Sequence, residues 1–316
     1  MNVSRRNVFI WVLVLPLTCL IPANSSWAWG RLGHQLIGEV GAELAGSGQN
    51  FWQKNAVNIG NLATVPDAVW KSGSSAASEG PTHWFHIDAY SNKPWDLPPV
   101  FESYQDAVNT FGSPTILENG TALWRSRQFF ERAVEDFQMG RYESGLQMAG
   151  VLAHYIGDLS QPLHVTIDYD GRYGLQTGIH SFFESRNIQN RDRQFLKTQL
   201  SAKAAALLKN PVFVASIDGG VHKAVQQEMA RAADFIEKVL EQDENLGRGS
   251  QGSNAQLNLA LDRMADGAAT LALILSDMWI EAGRPPLDQT LSVGTPAWVV
   301  PAYHFLENGD AAHDCL

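Results

Sequence analysis

The segment from Ala153 to His164 reads AHYIGDLSQPLH, and His154, Asp158 and His164 stand in it as H-x3-D-x5-H. On a helix, side chains four residues apart share a face, so the His154 imidazole and the Asp158 carboxylate can hold one cation between them. Gln161-Pro162 should end that helix, because proline disfavours helical geometry in the residue before it. The turn that follows can bring His164 back to the same place. Two imidazoles and a carboxylate suit a borderline-soft divalent ion, zinc above all. Taken alone, the segment fits a helix with two ordinary histidines and a solvated aspartate equally well.

Further donors recur along the chain. His180 and Glu184 are again four apart, within Gly178 to Glu184 (GIHSFFE), which is metal-ligand spacing on a helix. Thr82 to Asp88 (THWFHID) sets His83 and His86 around two aromatics, and buried imidazoles need partners, of which a metal is one. Asp67 follows Pro66, which by itself reads as a turn or cap. His34 stands near the start of a helical pattern carried by Leu36, Ile37, Val40 and Leu44. Ahead of it, Arg5 and Arg6 precede an apolar run from Val8 to Ile21, and Ser26-Trp27-Ala28 offers a cleavage site, the signature of an export signal. Cleavage after Ala28 would make Trp29 the first residue, whose free amine and carbonyl can chelate a metal. The plain alternative is a tryptophan anchoring a flexible terminus.

The elements that must position these donors read as helices. Periodic apolar residues mark Phe51 to Leu62, Leu123 to Phe137, Tyr142 to Asp158, Arg191 to Leu208, His222 to Gln242 and Ala255 to Trp279. Residues 89–118 read as a long, partly ordered connection, and Thr166 to Gly178 as a loop at the mouth of a site. Pro285, Pro286, Pro296 and Pro301 break the tail. Neither a fixed-period repeat nor a long linker divides the chain. The expected layout is an export signal over 1–28, one all-α, multi-helix domain over 29–283 and an irregular tail over 284–316.

Composition narrows the chemistry. The 316 residues carry a formal charge of -10, which disfavours gripping nucleic acid through a broad basic face but leaves room for a cationic metal centre. Cys19 and Cys315 are the two cysteines. The first lies in the expected signal, so His, Asp and Glu must hold any metal. The apolar run is too short for a stable membrane span, and no protein partner is indicated. The expected location is periplasmic or secreted. Ser4-Arg5-Arg6 resembles a twin-arginine signal with Phe9 one place late, which leaves the export route open.

In order, Trp29, His34, Asp67, His83, His154, Asp158, His164, His180 and Glu184 resemble the ligand set of the trinuclear zinc phosphodiesterases. That superfamily holds the secreted single-strand nucleases of S-one/P-one type and the bacterial zinc-dependent phospholipases C. The carrying motifs are WGRLGH, HYIGDLSQPLH and HSFFE. The resemblance implies the all-α fold of that superfamily and three Zn2+ ions. Asp67, His83, His154 and Asp158 would hold one zinc. The Trp29 amine and carbonyl, His34 and Asp158 would hold its close neighbour, with Asp158 as the bridge. His164, His180 and Glu184 would hold the third. It also implies catalysis by a hydroxide bound to the close pair, with Asp67 orienting or deprotonating the water and the third zinc steadying the leaving oxygen. The family usually has one histidine before an aromatic pair, which favours His83 and leaves His86 as the alternative. His222, His304 and His313 read as structural.

The resemblance leaves the substrate between two classes. The short spacing from Trp29 to His34 and the phrase QPLHV are similar to the nucleases, whereas HSFFE, with Glu184 where they carry aspartate, is similar to the phospholipases. The expectation is an endonuclease acting on single-stranded DNA or RNA, with a phospholipase C acting on phosphatidylcholine-like lipids as the alternative. Tyr169 and Tyr173 suit either a base or a headgroup. An exported zinc-binding protein without turnover is the third reading.

Overall fold

A computed structural model of the protein describes residues 29–172 and 175–303. The expected signal, both cysteines, Tyr173, His304 and His313 lie outside the described residues. Among the described residues the regular structure is helical, with no strand.

Tyr142–Ser160 is the central helix, and every residue from Met148 to Ser160 is buried. A helix apolar around most of its circumference must be enclosed. The helices Ala122–Gln138, Gly30–Leu44, Ala56–Leu62 and Asn254–Glu281 enclose it. Two glycines set how closely they approach. A Cβ on Gly150 would lie 2.4 Å from the Leu62 Cβ, and one on Gly157 would lie 2.9 Å from the His34 Nδ1. Only a residue without a side chain allows either contact. The second closes the gap between His34 and the Asp158 turn, so local packing already brings two donors together.

The ends of the long helices are chemically marked. Ser253 caps Asn254–Glu281, accepting from the Gln256 amide while the Gln256 side chain accepts from the Ser253 amide, a capping box. The central helix stops at Ser160, and the Gln161 side chain accepts from the Leu163 amide to start the turn Pro162–His164. Away from the site, Phe51, Trp52, Phe137 and Trp279 form an aromatic cluster, with Phe51 and Trp279 centroids 5.1 Å apart.

Several boundaries differ from the periodicity. The pattern over Phe51 to Leu62 is two helices, Gln49–Lys54 and Ala56–Leu62, broken at Asn55. The Asn55 amide group donates to the Phe51 and Gln289 carbonyls, competing with the helical ladder. The pattern over His222 to Gln242 is likewise two helices, Val221–Ala233 and Ile236–Leu246. Residues 89–118 are more ordered than expected, containing Tyr104–Phe111 and most of Ser113–Asn119, separated by Gly112.

The tail from Asp288 to Tyr303 has no helix but is tied to the body along its length. Leu291 donates its amide to Asn55 Oδ1, and the Pro296 carbonyl accepts from the Trp70 indole. The Val299 and Val300 carbonyls accept from Arg125 and Gln128, and the Tyr303 hydroxyl lies 3.0 Å from the Thr121 hydroxyl. This segment is a strap across the helices.

Candidate metal centre

Asp158 lies fully buried in the last turn of the central helix, and its two oxygens face different neighbours. Oδ1 is 3.3 Å from His34 Nε2, while Oδ2 is 3.0 Å from His83 Nδ1 and 3.2 Å from His154 Nε2. Burial alone would raise the pKa of this carboxyl. The nearby His154, with His34 and His83, instead holds it well below the usual carboxylate range.

Each neighbour arrives on its own element. His34 sits in the second turn of Gly30–Leu44, and His83 ends the short turn Gly80–His83. Asp67 lies just after Pro66 in the wide turn Pro66–Trp70, with Oδ1 3.6 Å from His83 Nδ1 and 4.0 Å from His154 Nε2. Lys71, one turn later, donates to Asp67 Oδ1 at 3.2 Å. Burial works against the Asp67 charge, and Lys71, His154 and His83 outweigh it, so the pKa is lowered. Trp29 is pinned to the same turn as Asp158, its indole N–H donating to the Gly157 carbonyl at 2.7 Å and the Ser160 hydroxyl at 3.0 Å. The Trp29 carbonyl accepts from the Gly33 amide.

A second cluster stands beside the first. His164 Nε2 is 3.0 Å from His180 Nε2, and Glu184 Oε2 is 2.9 Å from His180 Nε2 and 3.7 Å from His164 Nε2. His164 also bonds the His83 carbonyl through Nδ1 at 2.6 Å, which locks the clusters together. His180 and Glu184 are brought onto one face where Ile179–Ser181 runs into the wider turn Phe182–Arg186. Burial opposes protonation of His180, but Glu184 prevails and raises its pKa.

The donor chemistry fits a cation. His83 and His154 direct ring nitrogens at each other across 2.9 Å, as His164 and His180 do across 3.0 Å. Asp67 Oδ2 is buried with no hydrogen-bond donor. Such an oxygen is costly unless something positive meets it. Three donor groups converge closely enough to hold an ion: His34, Asp67 and His154; His83, His154 and Asp158; and His164, His180 and Glu184. All are nitrogen and oxygen donors, a set that suits zinc.

The structure therefore gathers His34, Asp67, His83, His154 and Asp158 in one locus and His164, His180 and Glu184 in an adjoining one, with Trp29 packed alongside. His86 is elsewhere. Its ring lies parallel to Trp84 at 6.2 Å and to Tyr169 at 6.1 Å, and burial pushes its pKa down to about 4. These rings line a cavity of about 670 Å³, which also borders Lys71, Asn119 and His180. Sequence reasoning passed over Lys71 and Glu79, although each is four residues from an expected ligand, Asp67 and His83. That spacing was the available signal.

An all-helical domain with three groups of imidazole and carboxylate donors beside a cavity defines a candidate metal centre. The chain belongs to the S1/P1 nuclease family, whose model matches residues 29–279. Among curated proteins it is 23% identical over 346 residues to one named as a probable serine protease of Bradyrhizobium tropiciagri. That match covers 80% of this chain and 44% of the relative, so the chain spans less than half of that protein's length. Among solved structures it is similar to the alpha-toxin of Clostridium absonum, with TM-score 0.47 and 15% identity over 84% of this chain and 68% of that one. It is also similar to an alpha-toxin of Clostridium perfringens from an avian strain, with TM-score 0.44 and 14% identity over 82% of this chain and 65% of that one.

Proposed function

We propose that this chain is an exported endonuclease that hydrolyses phosphodiesters in single-stranded DNA or RNA. The carrying observation is the cavity wall of parallel rings, Trp84, His86 and Tyr169, beside the two donor clusters. An unpaired base can stack on such a wall, whereas a base held in a duplex cannot reach it. The family match beginning at residue 29 supports cleavage of the export signal before Trp29.

Asp67, His83, His154 and Asp158 would hold one zinc, and His34, Asp158 and the freed Trp29 terminus a second. His164, His180 and Glu184 would hold a third. Bound there, the ions supply Lewis acidity toward water and a phosphoryl oxygen. The protein's own groups do the rest. Asp158 divides its oxygens between His34 and the His83–His154 pair, so one carboxylate fixes two neighbouring positions. Asp67 Oδ2, buried without a hydrogen-bond partner, would orient a water and take its proton. Lys71 keeps Asp67 ionised and borders the cavity, where its charge offsets that of a phosphate. The walls around Asp158 exclude bulk water and strengthen each of these interactions.

A phospholipase C reading draws on the exposed apolar residues of the cavity lining, Ile167 and Tyr169. Side-by-side assays on single-stranded DNA, RNA, duplex DNA and phosphatidylcholine vesicles test the proposal. The expected result is zinc-dependent cleavage of the two single-stranded substrates. Lipid hydrolysis without nucleic-acid cleavage would establish the phospholipase. Bound zinc with no turnover of these or of bis-nitrophenyl phosphate would leave a zinc-binding protein.

A further inference from the structure

A ligating imidazole uses one ring nitrogen and presents the other, protonated, to its surroundings. Three of the clustered histidines present that nitrogen to a backbone carbonyl. His154 Nδ1 meets the Ala63 carbonyl at 2.8 Å, His164 Nδ1 the His83 carbonyl at 2.6 Å, and His180 Nδ1 the Tyr169 carbonyl at 3.2 Å. His83 is different. Its Nδ1 points into the cluster, and its Nε2 is buried without a hydrogen-bond partner, with Glu79 Oε1 3.7 Å away, outside hydrogen-bond distance but within reach of a small ring rotation.

Glu79 is fully buried and held on every side. Oε1 accepts from the Tyr155 hydroxyl at 2.5 Å and the Thr82 hydroxyl at 3.0 Å. Oε2 accepts from Arg125 at 2.9 Å and from the Trp298 indole at 2.8 Å. Arg125 is itself buried and donates onward to Gln128 and the Val299 carbonyl. The Arg125 guanidinium meets this carboxylate at 2.9 Å, and the carboxylate lies behind one ligand ring.

We propose that Glu79 is a positioning residue of the metal centre: it fixes the tautomer and orientation of His83 through Nε2, strengthens His83 as a donor, and is itself held by the C-terminal strap through Trp298. A carboxylate behind a ligating imidazole does both things in metal sites generally. The inference rests on the metal reading of the His83 cluster and goes beyond it, because Glu79 lies outside the donor set. It also gives the strap a role, since Trp298 and Val299 close the network around Glu79 from the far end of the sequence.

The test compares Glu79→Gln with the double variant Glu79→Gln/Arg125→Met, in which no buried guanidinium is left without its partner. Zinc affinity is read by competition with a chromophoric chelator, geometry by the visible spectrum of the cobalt-substituted protein, and folding by thermal unfolding. Both variants are expected to bind zinc about 10- to 100-fold more weakly in the His83 cluster, with an altered cobalt spectrum. The His164, His180 and Glu184 cluster should retain its affinity. The double variant should recover melting temperature without recovering affinity. Wild-type affinity in Glu79→Gln, or affinity that returns together with melting temperature, overturns the proposal and leaves Glu79 as a counter-charge for Arg125. If neither variant folds, the zinc-loaded wild-type protein decides by NMR. A far-downfield, slowly exchanging His83 Nε2 proton is expected, and an ordinary, rapidly exchanging one overturns the inference. Wild-type protein that takes up no zinc at His83 would instead remove the metal reading itself.

Discussion

Replacing Asp158 with Asn should cost more activity than removing any terminal donor. The carboxylate faces three imidazoles, at 3.3 Å through Oδ1 and at 3.0 and 3.2 Å through Oδ2. Asp158 is the one negative charge that cations on its two sides would share, and removing one partner from a buried set of opposite charges costs about 3–5 kcal/mol. That corresponds to about 10²- to 10⁴-fold in kcat/KM if it is felt in the transition state. His34→Ala removes one neutral donor from one side and leaves the carboxylate charge in place, and its expected loss is about 10- to 100-fold. The assay is hydrolysis of bis-nitrophenyl phosphate, a substrate without a base, with zinc content measured on each preparation. Equal losses in Asp158→Asn, His34→Ala and His164→Ala would refute the bridging role, as would an Asp158→Asn protein with full metal content and near-normal turnover.

Other perturbations probe separate parts of the molecule. Gly157→Ala would place a Cβ 2.9 Å from His34 Nδ1; overpacking of this kind costs about 1–3 kcal/mol, read as a lower melting temperature together with weaker zinc binding. Chelation should abolish turnover and lower the melting temperature, and zinc should restore both, since a ligand at 100 times its Kd adds about 2.7 kcal/mol. Tyr169→Ala and Trp84→Ala should each weaken single-stranded DNA binding by about 1–3 kcal/mol per stacked base while sparing bis-nitrophenyl phosphate hydrolysis; equal damage to both substrates would deny the stacking role. Burial, with Asp266 beside it, pushes Glu228 up to about 8. Its folded pKa therefore lies above its unfolded one, so the folded state binds the extra proton and stability falls as pH rises from about 4.5 to 8. Thermal unfolding of Glu228→Gln should match the wild type near pH 4.5 and exceed it near pH 8, and parallel curves would contradict that sign.

Much of the donor set was legible because it is written locally. The four-residue steps from His154 to Asp158 and from His180 to Glu184 need only a helical turn to converge, and both pairs do converge. The Gln161-Pro162 stop was equally local, and the helix ends where proline chemistry requires. What the sequence concealed depends on distant partners. Asn55 breaks an apolar pattern that periodicity reads as continuous, because its side chain finds a carbonyl in the strap 234 residues away. Residues 89–118 looked irregular for their prolines and aromatics. Those aromatics in fact pack as a cluster, with Tyr90 and Phe101 centroids 4.6 Å apart, and tertiary burial supports short helices that propensity alone would not. Glu79 has only its four-residue step to His83 as a local mark, and the partners that hold it, Arg125 and Trp298, are 46 and 219 residues away.

Anomalous diffraction at the zinc edge, on protein purified without chelators and with its mature amino terminus verified by sequencing, tests the centre most directly. The expected map has two neighbouring peaks sharing Asp158, one beside His34 and Trp29 and one among Asp67, His83 and His154, with a third among His164, His180 and Glu184. Protein that is active on single-stranded DNA yet shows no zinc peak at Asp158 would contradict the account.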